Sequence, residues 1–121
     1  MKKIFNTLSI LLLLQTASYA QQPIHRSSDT KIADVLAQQP AEDYAKYMAV
    51  MKELEGFTSE DVTILLQGLG PQGSNNAPRE FATNSYALFV MQPGKEQLRE
   101  TYVKGLLASL DKVKDQNNRA Y

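Results

Sequence analysis

Apolar side chains recur every three or four residues along most of the chain, and this spacing predicts helices. One helix is predicted between residues 41 and 54, with Pro40 before it and Gly56 after it as start and stop signals. Its apolar side consists of Tyr44, Tyr47, Met48, Met51 and Leu54. A shorter helix is expected before Pro40, with Ile32, Val35 and Leu36 on one side.

The segment that follows carries the signals of a second helix start. Thr58 is suited to be the N-cap, and Asp61 stands three residues later, as in an acidic variant of the capping box. Phe57 and Val62 occupy the two positions of a hydrophobic staple. A strand over residues 62–66 would leave both signals unexplained. The apolar side of this predicted helix consists of Val62, Leu65, Leu66 and Leu69.

This helix runs into the glycines Gly68, Gly70 and Gly73, which spell G-x-G-x-x-G, the pattern of a dinucleotide-binding turn. Such a turn requires a strand before the glycines and a helix after them. Here a capped helix precedes them, and Pro71 occupies a variable position. We therefore expect no cofactor. Gly70 is expected to be the left-handed residue past the helix end, before an Asn-rich loop.

Two further helices are predicted between residues 78 and 116. The first stops before Pro93, and its apolar side consists of Phe81, Ala82, Ser85, Leu88 and Phe89. Its run YALFVM also fits a short strand, since short apolar runs do not separate the two structures. The second runs from about Lys95 to Gln116 and stops at Asn117 and Asn118. Its stripe is the longest in the chain: Leu98, Tyr102, Val103, Leu106, Leu110 and Val113.

The four main helices group into two antiparallel hairpins, at about residues 41–69 and 78–116. A shift of 37 residues superposes Tyr44 on Phe81 and Met51 on Leu88, although Val62 then falls on the charged Arg99. A period of this size is typical of helical hairpin repeats. The predicted fold is therefore all-α, a short HEAT-like array over residues 30–121.

Repeats of this kind bury their faces against neighbours, and about three are usually needed for stability. Two are visible in this sequence. The expectation is therefore either the N-terminal part of a longer array or a small protein whose last helices need a partner to cover them.

The first twenty residues have the pattern of a secretory signal peptide. Lys2 and Lys3 precede the apolar run 8–14, and Ser18-Tyr19-Ala20 fits a small-x-small cleavage site. The apolar run is too short to span a bilayer, so no membrane span is expected after cleavage. Residues 21–29 are predicted to be a disordered leader, and the expected location is the periplasm or the cell surface.

Charge and composition narrow the possible partners. The chain has 13 basic and 13 acidic residues, and loss of Lys2 and Lys3 leaves a net charge of 11 − 13 = −2. Nucleic acid is therefore not an expected partner. The chain has no cysteine, and its single histidine, His25, falls in the predicted leader, so no metal site or histidine-based catalytic pair is predicted.

Short catalytic patterns in the sequence are incomplete. Ser109 and Lys112 spell S-x-x-K, but the Ser-Asp-Asn and Lys-Thr-Gly motifs of penicillin-recognising enzymes are missing, so a solvated helix face is expected. Acidic pairs stand in predicted first helical turns, where they favour the helix dipole, or on a solvated face. These are Glu42 with Asp43, Glu60 with Asp61, and Glu96 with Glu100. No catalytic residue is predicted.

Tyrosines and asparagines offer the one candidate binding surface. Tyr44, Tyr47, Tyr86 and Tyr102 lie on or beside the apolar stripes, so most of them should be core. Tyr47, Asn76 and Asn84 are predicted to form an exposed polar-aromatic surface, suited to a sugar or a peptide.

Residues 75–121 resemble the helical repeat region of large exported Bacteroidetes proteins. The matching pieces are the Asn-rich loop, Phe81 near a helix start, the turn QPGKE at 92–96, and Leu110-Asp111-Lys112. In that family, HEAT-like repeats accompany a jelly-roll domain of the 3-keto-disaccharide hydrolase type, related to family 16 glycoside hydrolases. The resemblance implies that the chemistry belongs to that separate domain. It therefore implies no catalytic residue in this chain.

The leading hypothesis is a non-catalytic exported helical-repeat module, a scaffold or partner-binding surface beside carbohydrate-processing machinery. Its partner would be another protein or a C-terminal domain of a longer chain, with carbohydrate a further candidate. One alternative is an N-terminal fragment of a 3-keto-disaccharide or glycoside hydrolase. Another is a small periplasmic protein that oligomerises through Leu106, Leu107, Leu110 and Val113.

Overall fold

The structure, a computed structural model, describes residues 25–120. These residues form six helices and no strand, which confirms the all-α prediction and excludes the strand alternative for YALFVM. The helices are α1 Ser28–Leu36, α2 Tyr44–Glu55, α3 Ser59–Gln67, α4 Ala77–Val90, α5 Glu96–Ser109 and α6 Gln116–Ala120. The predicted signal peptide, 1–20, and residues 21–24 of the predicted leader lie outside the described residues.

Helix α1 begins inside the segment predicted to be a disordered leader, 21–29, so that prediction is wrong for the end of the segment. The side chain of Ser27 accepts a hydrogen bond from the Thr30 N–H and caps the helix. The guanidinium of Arg26 contacts Asp34 at 2.9 Å and Glu53 at 2.6 Å, which ties this segment to α2. On the inner side of α1, Ile32 and Val35 are buried as predicted.

The helix starts of α2 and α3 follow from their capping residues. Asp43 caps α2 by accepting a hydrogen bond from the Lys46 N–H, so the helix starts at Tyr44, later than the predicted residue 41. At α3 the capping box is confirmed: Thr58 Oγ1 accepts from the Asp61 N–H, and Asp61 Oδ2 accepts from the Thr58 N–H. The apolar side of α3 is buried as predicted, namely Val62, Leu65, Leu66 and Leu69.

Helix α4 buries a different side from the one its pattern predicted. It packs against α1, α2, α3 and α5, so its buried side is determined by contacts with four helices. Phe81 and Leu88 are exposed, whereas Ala82 and Phe89 are buried as predicted. The buried side of α4 consists of Ala82, Thr83, Tyr86, Phe89 and Val90. The ring of Tyr86 meets that of Tyr102 edge-on, with 5.5 Å between centroids.

Helix α5 is shorter than predicted because the chain turns after Ser109. This turn brings Val113 into a buried position outside the helix. The asparagines predicted to end α5 lie instead in the short helix α6, where Asn118 donates a side-chain hydrogen bond to the carbonyl of Gly70. The C-terminal segment is therefore fastened to the loop after α3.

The helix contacts define how the bundle is arranged. Helix α3 packs most extensively against α5, while α1 lies across α2, α3 and α4. Helices α4 and α5 run in opposite directions, since Tyr102 Oη donates to the carbonyl of Thr83 and Arg99 Nε to that of Val90. Whether these helices represent stacked HEAT-like repeats stays a prediction. No helix within residues 25–120 has the length and apolar character that crossing a membrane requires.

Candidate functional site

The glycine-rich loop after α3 is a structural connection. Residues 62–66 lie inside α3, so the strand that a dinucleotide-binding turn needs is replaced by a helix. The helix ends at Gly68, whose φ of −78° is right-handed. From α4, a guanidinium nitrogen of Arg79 donates to the carbonyl of Leu65 at 2.7 Å. A cationic donor at this position complements the negative end of the α3 dipole.

The prediction that Gly70 is left-handed is wrong. The glycines with positive φ within residues 25–120 are Gly73 and Gly94. Gly70 instead exchanges two hydrogen bonds with the side-chain amide of Asn76, at 2.8 Å and 2.9 Å. A Cβ at Gly70 would lie 2.5 Å from Ser74 Oγ, so a larger residue there would require the Ser74 side chain to move. Tertiary hydrogen bonds thus hold the loop without a left-handed residue at Gly70.

The three predicted surface residues do not share one environment. The amide of Asn76 is occupied by Gly70, so it does not belong to an open binding surface. Tyr47 is half-buried, and its ring stacks on that of Tyr44 with 6.1 Å between centroids. It lines a cavity of about 180 Å³ between α2 and α4, together with Phe81. Asn84 lies on the exposed side of α4.

The residues weighed for catalysis have structural roles or lie apart. Ser109 is buried, and its hydroxyl donates to the carbonyl of Leu106 at 2.6 Å, so the predicted solvated face is wrong at this position. Lys112 is exposed in the turn that follows. His25 is exposed before α1. Among residues 25–120, no group of three or more histidines, cysteines or carboxylates is placed to hold a metal ion.

The most deeply buried charge joins α1 to α3. Asp61 is 1% exposed, and its Oδ2 lies 2.8 Å from Lys31 Nζ. Burial alone would raise the pKa of Asp61, but hydrogen bonds from Lys31, Ser28 and the Thr58 N–H outweigh it and lower the pKa. The carboxylate is therefore kept ionised as the ionic contact that holds α1 in place.

Small residues on α5 determine which side of this helix faces inward. A Cβ on Gly105 would lie 2.5 Å from the carbonyl oxygen of Ser59, so only glycine permits this approach of α5 to α3. Thr63 Oγ1 donates to the carbonyl of Gly105 at 3.0 Å across the same contact. Ser109, four residues further on, is also buried. The inward line of α5 is therefore Leu98, Tyr102, Gly105 and Ser109.

Because Gly105 and Ser109 take the inward positions near the end of α5, the large apolar residues beside them face outward. We call Val103, Leu106, Leu107 and Leu110 the α5 face; their exposed fractions lie between 36% and 61%. Three of these four residues belonged to the predicted apolar stripe, and they are not buried. The oligomerisation alternative expected Leu106, Leu107, Leu110 and Val113 to form an exposed contact; the three leucines are exposed, but Val113 is buried. The glycine and serine four residues apart were the sequence signal for the inward line, because small residues allow helices to approach closely.

A second group of apolar side chains is exposed on α2 and α4. We call Tyr44, Met48, Phe81 and Leu88 the α2/α4 face. All four were predicted to be core, yet Tyr44 is 76% and Leu88 73% exposed.

Comparisons with protein-family models, curated proteins and solved structures give no match for this chain. The geometry of these two faces is therefore the basis for a functional proposal.

Proposed function

We propose that this chain is a non-catalytic helical module that binds a protein partner through the α5 face. The observation that carries the proposal is that four large apolar side chains between residues 103 and 110, at the end of α5 and its C-cap, are at least 36% exposed. Soluble proteins rarely expose contiguous large apolar patches, and such patches commonly mark interaction sites.

Charged and polar groups border the α5 face. Glu100 and Lys104 are exposed on the same helix, and Asp111 and Lys112 follow its end. An apolar centre with a polar rim is the usual anatomy of a protein interface. This arrangement supports a protein partner with an apolar stripe of its own.

Export and association with carbohydrate-processing proteins belong to the same proposal. Export rests on the signal-peptide pattern of residues 1–20. The carbohydrate context rests on the resemblance of residues 75–121 to repeat regions of exported Bacteroidetes proteins. N-terminal sequencing of the protein recovered from its native host tests export. A mature N-terminus at Gln21 supports it, whereas an intact Met1 contradicts it.

The binding function is tested by site-specific photocrosslinking in the native host. The photoreactive p-benzoylphenylalanine replaces Leu107 on the α5 face and, as the matched control, Ala33 on the outer side of α1; both positions are exposed. We expect a discrete covalent protein adduct from position 107 and none from position 33. No adduct at 107, or equal adducts at both positions, would contradict the proposal.

A further inference from the structure

A small cavity lies between α2, α4 and the turn that precedes α2. It measures about 180 Å³, and its lining comes from these segments and not from α5. The buried Val50 and Met51 line it on the side of the core, and the half-buried Tyr47 and the exposed Phe81 also line it. Phe81 belongs to the α2/α4 face, and Tyr44 of that face stacks on Tyr47. The cavity is therefore a recess with aromatic walls at the edge of the α2/α4 face.

One residue of this lining has a polar group that lacks a hydrogen-bond partner. Gln39 lines the cavity from the turn before α2, and its Nε2 is shielded from solvent without an acceptor among the described residues. A buried donor left without an acceptor costs free energy, and such groups are rare in native proteins. A ligand in the cavity that carries an acceptor would supply the missing partner, because the terminal amide of glutamine turns readily about its last side-chain bond.

The charge of the lining restricts what the cavity accepts. No charged side chain among the described residues lines it. Glu42 and Lys46, which precede Tyr47 on the chain, form an ion pair with each other. A charged ligand would lose its hydration in this cavity without gaining an opposite charge. The occupant is therefore uncharged.

The size and the walls of the cavity define the rest of the ligand. A dry apolar cavity of about 150 Å³ holds one benzene molecule, so this cavity has room for one six-membered ring with a small substituent. Tyr47 and Phe81 favour an aromatic ring, which they contact by stacking or edge-on. A sugar ring carries a hydroxyl on most of its carbons. Since the lining is mainly apolar, most of those hydroxyls would lose water without replacement.

We infer that the cavity between α2 and α4 binds an uncharged aromatic ring that bears a hydrogen-bond acceptor. Tyr47 and Phe81 hold the ring, and the amide of Gln39 donates to the acceptor. The inference goes beyond the proposed function, because it concerns a small ligand at a different surface. It does not depend on whether the α5 face binds a protein.

NMR titration tests the inference on the chain from Gln21 to Tyr121, which keeps every described residue. The probes are acetophenone, which has a carbonyl acceptor, ethylbenzene, which has a similar shape and no acceptor, the charged benzoate, and methyl glucoside. Acetophenone should bind with a Kd of about 1 mM. Ethylbenzene should bind about fivefold more weakly, and the other two should cause no shift at the same concentrations. The shifts with acetophenone should centre on Tyr47, Phe81 and the side-chain amide of Gln39.

Three variants assign the contacts. Gln39→Met keeps the length of the side chain without its amide, so it should bind acetophenone and ethylbenzene equally. Ser85→Leu adds apolar volume to the lining and should lose both probes. The matched control Leu88→Gln changes a residue of the α2/α4 face that does not line the cavity, and it should bind like wild type. Circular dichroism establishes that each variant keeps its helices, and Gln39→Met decides the test if Ser85→Leu does not fold.

The same titrations contain the outcomes that would overturn the inference. Absence of acetophenone binding to wild type up to its solubility limit is the first of these. Binding of benzoate or methyl glucoside as tight as that of acetophenone would contradict the uncharged aromatic ligand. A preference of Gln39→Met for acetophenone as large as that of wild type would contradict the role of Gln39.

Discussion

The two ends of the helix bundle differ in what covers their apolar side chains. At the first end, α1 turns Ile32 and Val35 inward and presents a polar outer side. At the other end, α5 turns Gly105 and Ser109 inward and leaves the α5 face uncovered. In stacked helical proteins, a terminal element with a polar outer face closes the core to water. Here α1 is such an element, and no corresponding element covers the α5 face among the described residues.

Each end is consequently held by different interactions. The end closed by α1 depends on the buried contact of Lys31 with Asp61, besides apolar burial. The more exposed contacts of Arg26 with Asp34 and Glu53 are weakened by solvent screening. The polar contact of α5 with α3 lies on the inner side of the helix, where Thr63 donates to the carbonyl of Gly105, and not on the α5 face. Substitutions at the closed end should therefore change the free energy of unfolding, and those on the α5 face should change the binding of a partner.

Asp61→Ala should have the largest effect on the closed end. The change leaves Lys31 without its carboxylate and removes the acceptor for the Thr58 N–H. Because Lys31 is only partly buried, we expect a loss of about 2 to 3 kcal/mol in the free energy of unfolding, below the value for a fully buried pair. Urea denaturation followed by circular dichroism measures it.

The adjacent Glu60 provides the matched control. It lies in the same first turn but is exposed, so Glu60→Ala should change the free energy of unfolding by less than about 0.5 kcal/mol. Equal losses in the two variants would mean that the helix dipole, and not the contact with α1, accounts for the effect of Asp61.

Gly105→Ala probes the inner side of the open end. The added methyl would lie 2.5 Å from the Ser59 carbonyl and 2.6 Å from Val62 Cβ, so α3 and α5 must separate. We expect a net loss of about 2 kcal/mol in the free energy of unfolding, because overpacking outweighs the gain in helix propensity. Lys104→Ala, on the exposed side, is the control and should stay within about 0.5 kcal/mol of wild type. Wild-type stability in Gly105→Ala would contradict the close approach.

Much of the fold follows from local signals in the sequence. The capping box of Thr58 and Asp61 and the apolar side of α3 were predictable, because both depend on residues within one helix. The helical nature of the glycine-rich segment up to Gly68 followed from the same signals. Local chemistry thus specified where the helices form.

The outward sides of α4 and α5 were not predictable from periodicity. An apolar stripe predicts that one side of a helix is buried. Whether Leu106 or Gly105 of α5 faces inward, however, depends on how closely α3 approaches. Likewise, the loop at Gly70 is fixed by Asn76 and Asn118, the latter from far along the chain. The α5 face is therefore a consequence of tertiary packing, which the apolar stripe alone did not predict, although the oligomerisation alternative named Leu106, Leu107 and Leu110 as an exposed contact.

Acid should weaken the closed end through Asp61. Its pKa in the folded protein is below the unfolded value of about 3.9, so the unfolded chain takes up the proton first as the pH falls. The stabilisation is complete above that value and is lost as the pH falls through the folded pKa. This loss is smaller than that in Asp61→Ala, because the protonated side chain still fills its place.

Urea denaturation at pH 7, 5, 4 and 3 measures this dependence. Asp61→Asn cannot titrate, so its stability should fall less than that of wild type below about pH 4. Glu96 also has a lowered pKa, because the backbone N–H groups of Glu96 and Gly94 donate to it, but the side chain is exposed. Glu96→Gln should therefore keep most of the acid dependence. If the free energy of unfolding of Asp61→Asn falls with pH as steeply as that of wild type, other carboxylates account for the acid dependence.

Leu107→Ala should have the smallest effect on stability, although it removes as many atoms as a core truncation. Leu107 is 61% exposed, so most of its apolar surface is already in contact with water in the folded monomer. Alanine is at least as favourable as leucine in a helix, and we expect the free energy of unfolding to change by less than about 0.5 kcal/mol. The measurement belongs at low protein concentration, where mass action leaves only monomer. A loss of about 2 kcal/mol or more in the monomer would show that the α5 face is covered within one chain, and the contrast between the two ends would then fail.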